Sequence, residues 1–314
     1  MYRSPTQRVL TRADLDRYAS DALGVGIRAV TELSGGGFAA VWRLDLVDGR
    51  GVVLKLGPPP ETPLLRYEAD VIAAEADYFR LVAAHAPAVP VPTVLYHDGD
   101  LLVTTLLPGT AIEPGSAAEV RRQLGAAVAA VHTVTGDRFG YPGSRSHAGT
   151  WPDAFEAIID DLLADAVDWA VELPVRPDAI RAAVTGHRDL LSTVDRPALL
   201  HFDLWDGNVL AEGDRLTGLV DGERYLYGDP LLDFVSPAVL RRIETEPEHP
   251  FVLGYHGGPM TFDDSARRRL ALYRLHLYLL MVVEMPSRGM TGPDHKRRYD
   301  GVRALLTEEV RALG

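Results

Sequence analysis

The stretch Leu200-His201-Phe202-Asp203-Leu204-Trp205-Asp206-Gly207-Asn208-Val209-Leu210 decides how this chain is read. It sets an aspartate five residues before the only asparagine in 314 residues, with apolar residues on both sides. A carboxylate that accepts a hydroxyl proton and an amide oxygen that holds a divalent cation are the two groups phosphoryl transfer needs at this spacing. A tight turn using Asp and Asn for local hydrogen bonds is the alternative. The short apolar runs ending at Leu200 and beginning at Val209 favour the chemical reading of Asp203 and Asn208. His201 reads as a buried hydrogen-bonding residue rather than a base.

Working outward, Leu216-Thr217-Gly218-Leu219-Val220-Asp221-Gly222-Glu223 sets another acid at the end of a short apolar strand, where a carboxylate can bridge Mg²⁺ to a triphosphate. Glu223 reads equally as a water-mediated ligand or as a helix-start acid. Of 32 basic residues only Lys55 and Lys296 are lysine, and Lys55 lies inside Val52-Val53-Leu54-Lys55-Leu56. A chain that otherwise uses arginine places a compact point charge there. Ser34-Gly35-Gly36-Gly37-Phe38 falls between two strand patterns, and glycines let backbone amides approach phosphates. Such a run alone is more often a hairpin turn, but Lys55 downstream tips it towards phosphate binding. A Walker-A loop is excluded, because Leu54 and His295 precede the two lysines.

The hydrophobic periodicity predicts a helix after Thr11, strands over 27–33, 38–46 and 51–56, a long helix over 64–84, and strands over 93–96 and 101–106. After Pro108-Gly109 the pattern turns helical, over 116–134, 152–170 and 177–191. A strand at 198–200 and two more around Val209 and Leu219 follow, then helices over 230–242, 264–285 and 295–312. The expected fold class is α+β in two lobes. Residues 1–106 form a small β-rich lobe, a nucleotide-binding sheet with one long helix. Residues 107–314 form a larger, mostly helical lobe carrying the catalytic loop and the acceptor site, and the cleft between lobes is where small molecules bind.

Absence of cysteine excludes disulfides, thiolate nucleophiles and cysteine-ligated metals, and the histidines show no paired ligand spacing. The most apolar helix, near 270–285, is interrupted by Arg274, His276 and Glu284, and the N-terminus MYRSPTQRVLTRADLDRY has no apolar signal core. A cytoplasmic protein without a membrane partner is expected. The net charge of −12 divides as 10 basic and 13 acidic side chains in residues 1–106 against 22 and 31 in the rest. An acidic surface repels nucleic acid, so none is expected as partner. The more acidic second half serves solvation or attracts a cationic substrate, with equal weight on each.

The segment LLHFDLWDGNVL followed by GLVDGERYLYGDPLLDF resembles the aminoglycoside phosphotransferase and fructosamine kinase superfamily. Its usual form is H-G-D-x-x-x-x-N, then I-D-x-E, then G-D-P-x-x-D. Leu101-Leu102-Val103-Thr104-Thr105-Leu106-Leu107-Pro108-Gly109 is similar to that family's interlobe linker, so the resemblance covers most of the chain. It implies a protein-kinase-like fold that uses Mg²⁺ with ATP or GTP as donor. By the same resemblance Asp203 is the catalytic base, Asn208 and Asp221 are the metal ligands, and Lys55 is the triphosphate lysine. Ser34, Gly35, Gly36, Gly37 and Phe38 become the phosphate loop, with Thr105 and Leu106 of the linker against the nucleotide. Lys55 then needs a glutamate partner. Glu68 and Glu75 are seven residues apart on one helix face, so periodicity does not choose, and similarity to the family's helix points to Glu75. Asp229 and Asp233 cap and anchor the next helix. Two departures stand out: Phe202 replaces the usual glycine, and Gly222 sits where a bulky apolar residue is common. Both are expected to reshape the acceptor pocket.

The expected reaction moves the γ-phosphoryl group onto a hydroxyl of a small molecule. Trp205, Glu223, Tyr225, Tyr273 and Glu284 are candidates for contacting that acceptor. A sugar-bearing antibiotic, aminoglycoside or nucleoside in type, fits them as the substrate of a resistance or self-protection enzyme. A metabolic kinase of the choline, homoserine or ketosamine type would share the catalytic residues. A protein kinase is disfavoured because no A-P-E segment follows Asp221. A non-catalytic nucleotide-binding regulator would be expected to lack Lys55, Asp203, Asn208 or Asp221, and all four are present. Monomer and homodimer both remain open.

Overall fold

A computed structural model describes residues 3–33, 37–290 and 292–314. Helix α1, Arg12–Leu23, opens on a capping box between Thr11 and Asp14 and ends at Gly24, whose φ of 66° is the left-handed conformation glycine adopts freely. Strands β1 (Ile27–Glu32), β2 (Ala40–Leu46), β3 (Gly51–Leu56), β4 (Val94–Asp98) and β5 (Leu101–Thr105) form an antiparallel sheet in the order β1-β2-β3-β5-β4. Leu15 and Ala19 of α1 pack on one face of it with Leu44, Leu46, Val52, Leu54, Leu56 and Val103. Side chains alternate along a strand, so Lys55, between Leu54 and Leu56, points to the other face. Helix α2, Val71–His85, covers that face, and its Val71, Ala74, Phe79 and Val82 join the main core.

From β6 (Thr110–Ala111) onward the chain belongs to the second lobe. It contains α3 (Ala118–Val131), β7 (Phe139–Gly140), β8 (His147–Ala148), α4 (Trp151–Asp168), α5 (Pro177–Thr185) and α6 (Arg188–Leu191). Then come β9 (Ala198–Leu200), β10 (Val209–Glu212), β11 (Arg215–Leu219), β12 (Leu226–Gly228), α7 (Pro250–His256), α8 (Asp264–Ser287) and α9 (Pro293–Leu313). Two small sheets, β11-β10-β6 and β8-β7-β12-β9, hold the loops on either side of β9 and β10. Helix α8 is buried nearly all round from Leu270 to Val283, which marks it as the central helix of this lobe. The backbone bond from Leu219 N–H to the Pro90 carbonyl, 2.9 Å, ties β11 to the segment just before β4. No helix among the described residues is long and apolar enough to cross a membrane.

Several segments differ from the periodicity, among them the short strands β6, β7, β8 and β12 and the helix expected over 177–191, which divides at Gly186 into α5 and α6. The helix expected over 64–84 is a 3₁₀ turn, Arg66–Glu68, followed by Asp70 at φ 56°, and only then α2. A left-handed residue cannot continue a right-handed helix, so Glu68 and Glu75 do not share a helix face. The helix expected over 230–242 is a 3₁₀ turn, Pro230–Phe234, succeeded by turns. Pro237 removes the N–H that would bond to the Asp233 carbonyl, and a residue before proline avoids helical backbone. Conversely α7, in a stretch punctuated by Pro247, Pro250 and Pro259, has no periodic signature long enough to be seen.

Candidate active site

The loop after β9 is built around a carboxylate some thirty residues downstream. Asp233 is fully buried and accepts the backbone N–H of His201 at 2.9 Å and of Phe202 at 2.6 Å, while His132 Nε2 lies 3.0 Å from it. Ser236 Oγ accepts the Leu204 N–H at 2.9 Å. Asp229 caps the 3₁₀ turn as expected, accepting from Leu231 N–H at 3.1 Å, whereas Asp233 anchors the loop of Asp203 instead of the turn that carries it.

His201 fixes the loop to the Asp221 segment. Its Nδ1 accepts the Asp203 N–H at 3.3 Å, so the proton sits on Nε2, which donates to the Val220 carbonyl at 3.0 Å. Both ring nitrogens are thereby committed, and the imidazole is a strut. Asn208 donates its amide N–H to the Asp203 carbonyl at 2.8 Å, which leaves Oδ1 as the atom for a cation. Its own carbonyl accepts the Val220 N–H at 3.1 Å. Asp203, Asn208 and Asp221 are thus tied together through backbone bonds.

Across from them stands Lys55. Its ammonium donates to Asp221 Oδ1 at 3.0 Å and Glu223 Oε2 at 2.6 Å, and Glu75 Oε2 is 2.6 Å away. Burial opposes its charge, but these three carboxylates outweigh burial and raise its pKa well above the ordinary lysine value. Burial likewise pushes Asp221 up, and the adjacent ammonium more than reverses this, leaving it below the usual range. Glu75, enclosed by α2 and the sheet, is pulled up by burial, which Lys55 only partly offsets. Glu68 instead pairs with Arg288 at 2.5 Å, so of the two glutamates it is Glu75 that meets the lysine.

One oxygen each from Glu75, Asp221 and Glu223 lies within 4.8 Å of the others. Lys55 fills this cluster, and the carboxylate oxygens of Asp221 and Glu223, with the Asn208 amide oxygen, are the hard donors that Mg²⁺ takes. Asp203 is pushed up by burial and held back by Arg224, whose Nε lies 3.8 Å from its Oδ2. Arg224 is in turn bound to Glu284 Oε1 at 2.6 Å.

Of the acceptor candidates, Trp205 is 42 % exposed, and its indole lies over Gly207, where an added Cβ would come within 2.2 Å of the ring. Glu223 faces Lys55. Tyr273 requires correction. It is fully buried, donates its hydroxyl to Asp229 at 2.6 Å and accepts from Trp151 Nε1 at 2.9 Å, so it belongs to the core. Tyr225 is corrected for the same reason, its buried ring packing against Tyr78 and Tyr227. Glu284 does not offer its carboxylate to an acceptor. Its Oε1 accepts from Tyr67 at 2.5 Å, Arg224 at 2.6 Å and Arg288 at 3.0 Å, and although burial would raise its pKa the two guanidiniums hold it at about 2.

Ser34, Gly35 and Gly36 lie outside the described residues. Gly37 follows them, and Phe38 is buried beneath the Arg288 guanidinium, 4.8 Å from the ring centroid. Thr105 uses its hydroxyl to accept the Thr93 N–H at 2.9 Å, and Leu106 donates its N–H to the Gly51 carbonyl at 3.2 Å, at the end of β5. Phe202 and Gly222 are absorbed by the core rather than by a pocket. The Phe202 ring is 1 % exposed, and the space beside Gly222 is filled by Tyr78, whose Cδ1 would lie 2.2 Å from an added Cβ. Arg224, Arg288 and Tyr67 carry no motif. Their only signal in the sequence is the place of Arg224 directly after Glu223.

Comparison with solved structures supports the same architecture. A protein from Thermobifida fusca assigned as a fructosamine-3-kinase is 21 % identical over 96 % of this chain and 99 % of its own, with a TM-score of 0.73. A thermostable mutant of an aminoglycoside phosphotransferase, in ternary complex with AMP-PNP and hygromycin B, is 18 % identical over 95 % and 98 % with a TM-score of 0.64. The macrolide 2′-phosphotransferase MphH from Brachybacterium faecium is 19 % identical over 93 % and 97 % with a TM-score of 0.56. No curated protein matches the chain. The model of the phosphotransferase enzyme family matches residues 29–273. The chain therefore belongs to the phosphotransferase enzyme family and is a small-molecule phosphotransferase.

Proposed function

We propose that the chain transfers the γ-phosphoryl group of ATP or GTP, with Mg²⁺, to a sugar hydroxyl of a small molecule. The observation that carries this reading is the convergence of Lys55 on Asp221 at 3.0 Å, 166 residues apart in sequence, beside the loop that ties Asp203 to Asn208. Lys55 engages the triphosphate and Glu75 holds the ammonium in place. Asp221 and Asn208 would hold Mg²⁺, with Glu223 beside them, and the cation would supply charge neutralisation to the triphosphate. Asp203 orients the acceptor hydroxyl and accepts its proton as the hydroxyl oxygen bonds to the γ-phosphorus. The bond from that phosphorus to the bridging oxygen breaks, and the nucleoside diphosphate leaves.

For the acceptor, an antibiotic carrying a sugar is the first reading. The hygromycin B complex and the macrolide phosphotransferase of similar fold support it. A ketosamine is the second, favoured by the higher TM-score of the fructosamine-3-kinase relative. The exposed Trp205 indole, in the same loop as Asp203, offers a flat apolar face to either sugar. A panel of aminoglycosides, nucleoside antibiotics, macrolides and ketosamines incubated with MgATP or MgGTP tests the reading. Acceptor-dependent release of nucleoside diphosphate, with one phosphoryl group added to the acceptor's mass, is expected from at least one sugar-bearing compound. Turnover confined to acceptors without a sugar would overturn the substrate class.

A further inference from the structure

We infer that the segment Ser4–Arg8 and Arg288 together brace residues 37–39, so that Thr6, Gln7 and Arg288 are positioning residues for the triphosphate. The inference rests on the nucleotide reading above and adds residues that no motif marks.

The segment is folded on itself before it reaches α1. Gln7 N–H donates to the Ser4 carbonyl at 3.0 Å, Ser4 N–H to Gln7 Oε1 at 3.0 Å, and the Ser4 and Thr6 hydroxyls lie 3.0 Å apart. Ser4 and Thr6 are almost completely buried, at 3 % and 2 % exposure, and buried polar groups require partners. The partners are backbone carbonyls of residues 37–39. Thr6 Oγ1 donates to the Gly37 carbonyl at 3.1 Å, and Gln7 Nε2 to the Ala39 carbonyl at 3.1 Å. Arg8 secures the far end of the segment on the Pro58 carbonyl at 2.6 Å.

Arg288, at the C-terminal end of α8, closes the brace from the other lobe. Its guanidinium lies over the Phe38 ring at 4.8 Å, and Nη1 is 3.5 Å from Thr6 Oγ1. Glu68 at 2.5 Å and Glu284 at 3.0 Å fix its orientation. Two segments far apart in sequence therefore meet on residues 37–39.

The consequence for a phosphate follows from peptide geometry. Across a trans peptide the carbonyl and the next N–H point in opposite directions, so holding the Gly37 carbonyl on Thr6 aims the Phe38 N–H away from the segment. Glycine loses more backbone freedom on ordering than any other residue, and a turn already held loses less when a ligand binds. The brace should thus appear as affinity for phosphates and not for the nucleoside.

Calorimetric titration of the full chain with MgAMP-PNP and, separately, with adenosine tests this in wild type, Thr6→Val, Gln7→Ala, Arg288→Gln and Lys55→Met. Thr6→Val keeps the side-chain shape and leaves the ion pairs of Arg288 intact, so it remains informative if Arg288→Gln fails to fold. MgAMP-PNP affinity is expected to fall about three- to tenfold in Thr6→Val, the range for one hydrogen bond, and further in Thr6→Val/Gln7→Ala. Adenosine affinity should stay within twofold of wild type. Folded Thr6→Val and Thr6→Val/Gln7→Ala with unchanged MgAMP-PNP affinity, while Lys55→Met has lost it, would overturn the brace alone. Equal weakening of adenosine and MgAMP-PNP would make the segment a general stability element and overturn it too. No binding of either MgAMP-PNP or MgGMP-PNP by wild type would remove the nucleotide reading and the brace with it.

Discussion

Phe202 holds a left-handed backbone at φ 67° and stacks its ring on the imidazole of His276, with centroids 4.8 Å apart and planes inclined by 4°. Glycine fits that φ without strain, whereas phenylalanine must be stabilised there by what its ring touches. Replacing it opposes two effects. Loss of a buried aromatic ring costs about 3–5 kcal/mol, while glycine recovers about 1 kcal/mol of backbone strain. Phe202→Gly is expected to be destabilised by about 2–4 kcal/mol in urea unfolding. Phe202→Ala, which keeps the strain and also loses the ring, should be less stable than Phe202→Gly by about 1 kcal/mol. The reverse order would show that the φ of residue 202 stores no strain.

His276 gives the protein a pH signature. Burial, with a smaller contribution from Arg224, drives its imidazole from the ordinary 6.5 to about 3, and neither nitrogen has a hydrogen-bond partner among the described residues. Between these values the unfolded chain binds a proton that the folded chain excludes. Stability from this site is therefore fully present above about pH 6.5 and is lost as pH falls towards 3. His276→Leu should narrow the gap to wild type, or reverse it, by up to about 1.4 kcal/mol per pH unit below pH ~6. Urea melts at a series of pH values measure this, and parallel stability curves for the two proteins would contradict it.

Gly222 is needed because of Tyr78. A methyl group at 222 would stand 2.2 Å from Tyr78 Cδ1, and Gly222 separates Asp221 from Glu223. Gly222→Ala should cost about 1–3 kcal/mol and displace both acids, weakening MgAMP-PNP binding as well. Tyr78→Leu should restore part of both losses in the double variant. Tyr78→Phe should not, since the clash is with the ring; by itself it should be neutral or stabilising, because the Tyr78 hydroxyl is buried without a partner among the described residues.

Lys55→Met tests the acid cluster as a cation site. Removing the ammonium leaves Glu75, Asp221 and Glu223 facing one another, and breaking a buried ion pair in this way costs about 3–5 kcal/mol. Magnesium chloride without nucleotide should raise the melting temperature of this variant more than that of wild type, because a divalent ion can take the lysine's place among the carboxylates. Equal shifts in the two proteins would remove Glu75, Asp221 and Glu223 as a cation site.

The sequence made the loops legible and the packing around them much less so. Asp203, Asn208 and Asp221 stand out because their residue types and spacings are set over short distances, and Lys55 because it is one of only two lysines and lies within an apolar strand. The choice between Glu68 and Glu75 was not open to periodicity, because Asp70 adopts a left-handed conformation that no pattern of apolar residues reveals. Tyr225, Tyr273 and Glu284 looked like recognition residues because aromatic and acidic side chains serve pockets and cores alike. Their hydrogen bonds to Asp229, Trp151, Tyr67 and Arg224, and the ring packing of Tyr225, depend on long-range contacts. The expected helix over 230–242 failed for a reason visible in hindsight, the proline at 237, whereas the role of Asp233 under His201 and Phe202 was hidden by distance along the chain.

The most direct measurement is steady-state phosphorylation of the identified acceptor by Asp203→Asn, alongside MgAMP-PNP titration of the same folded protein. Asparagine preserves shape and removes basicity, and a general base contributes roughly 10²–10⁴ in rate. The account predicts that kcat falls at least about a hundredfold, while nucleotide affinity stays within about threefold because Lys55, Asn208 and Asp221 are untouched. A fall of less than about tenfold in kcat with nucleotide binding intact would make Asp203 a loop-shaping residue and contradict the catalytic assignment.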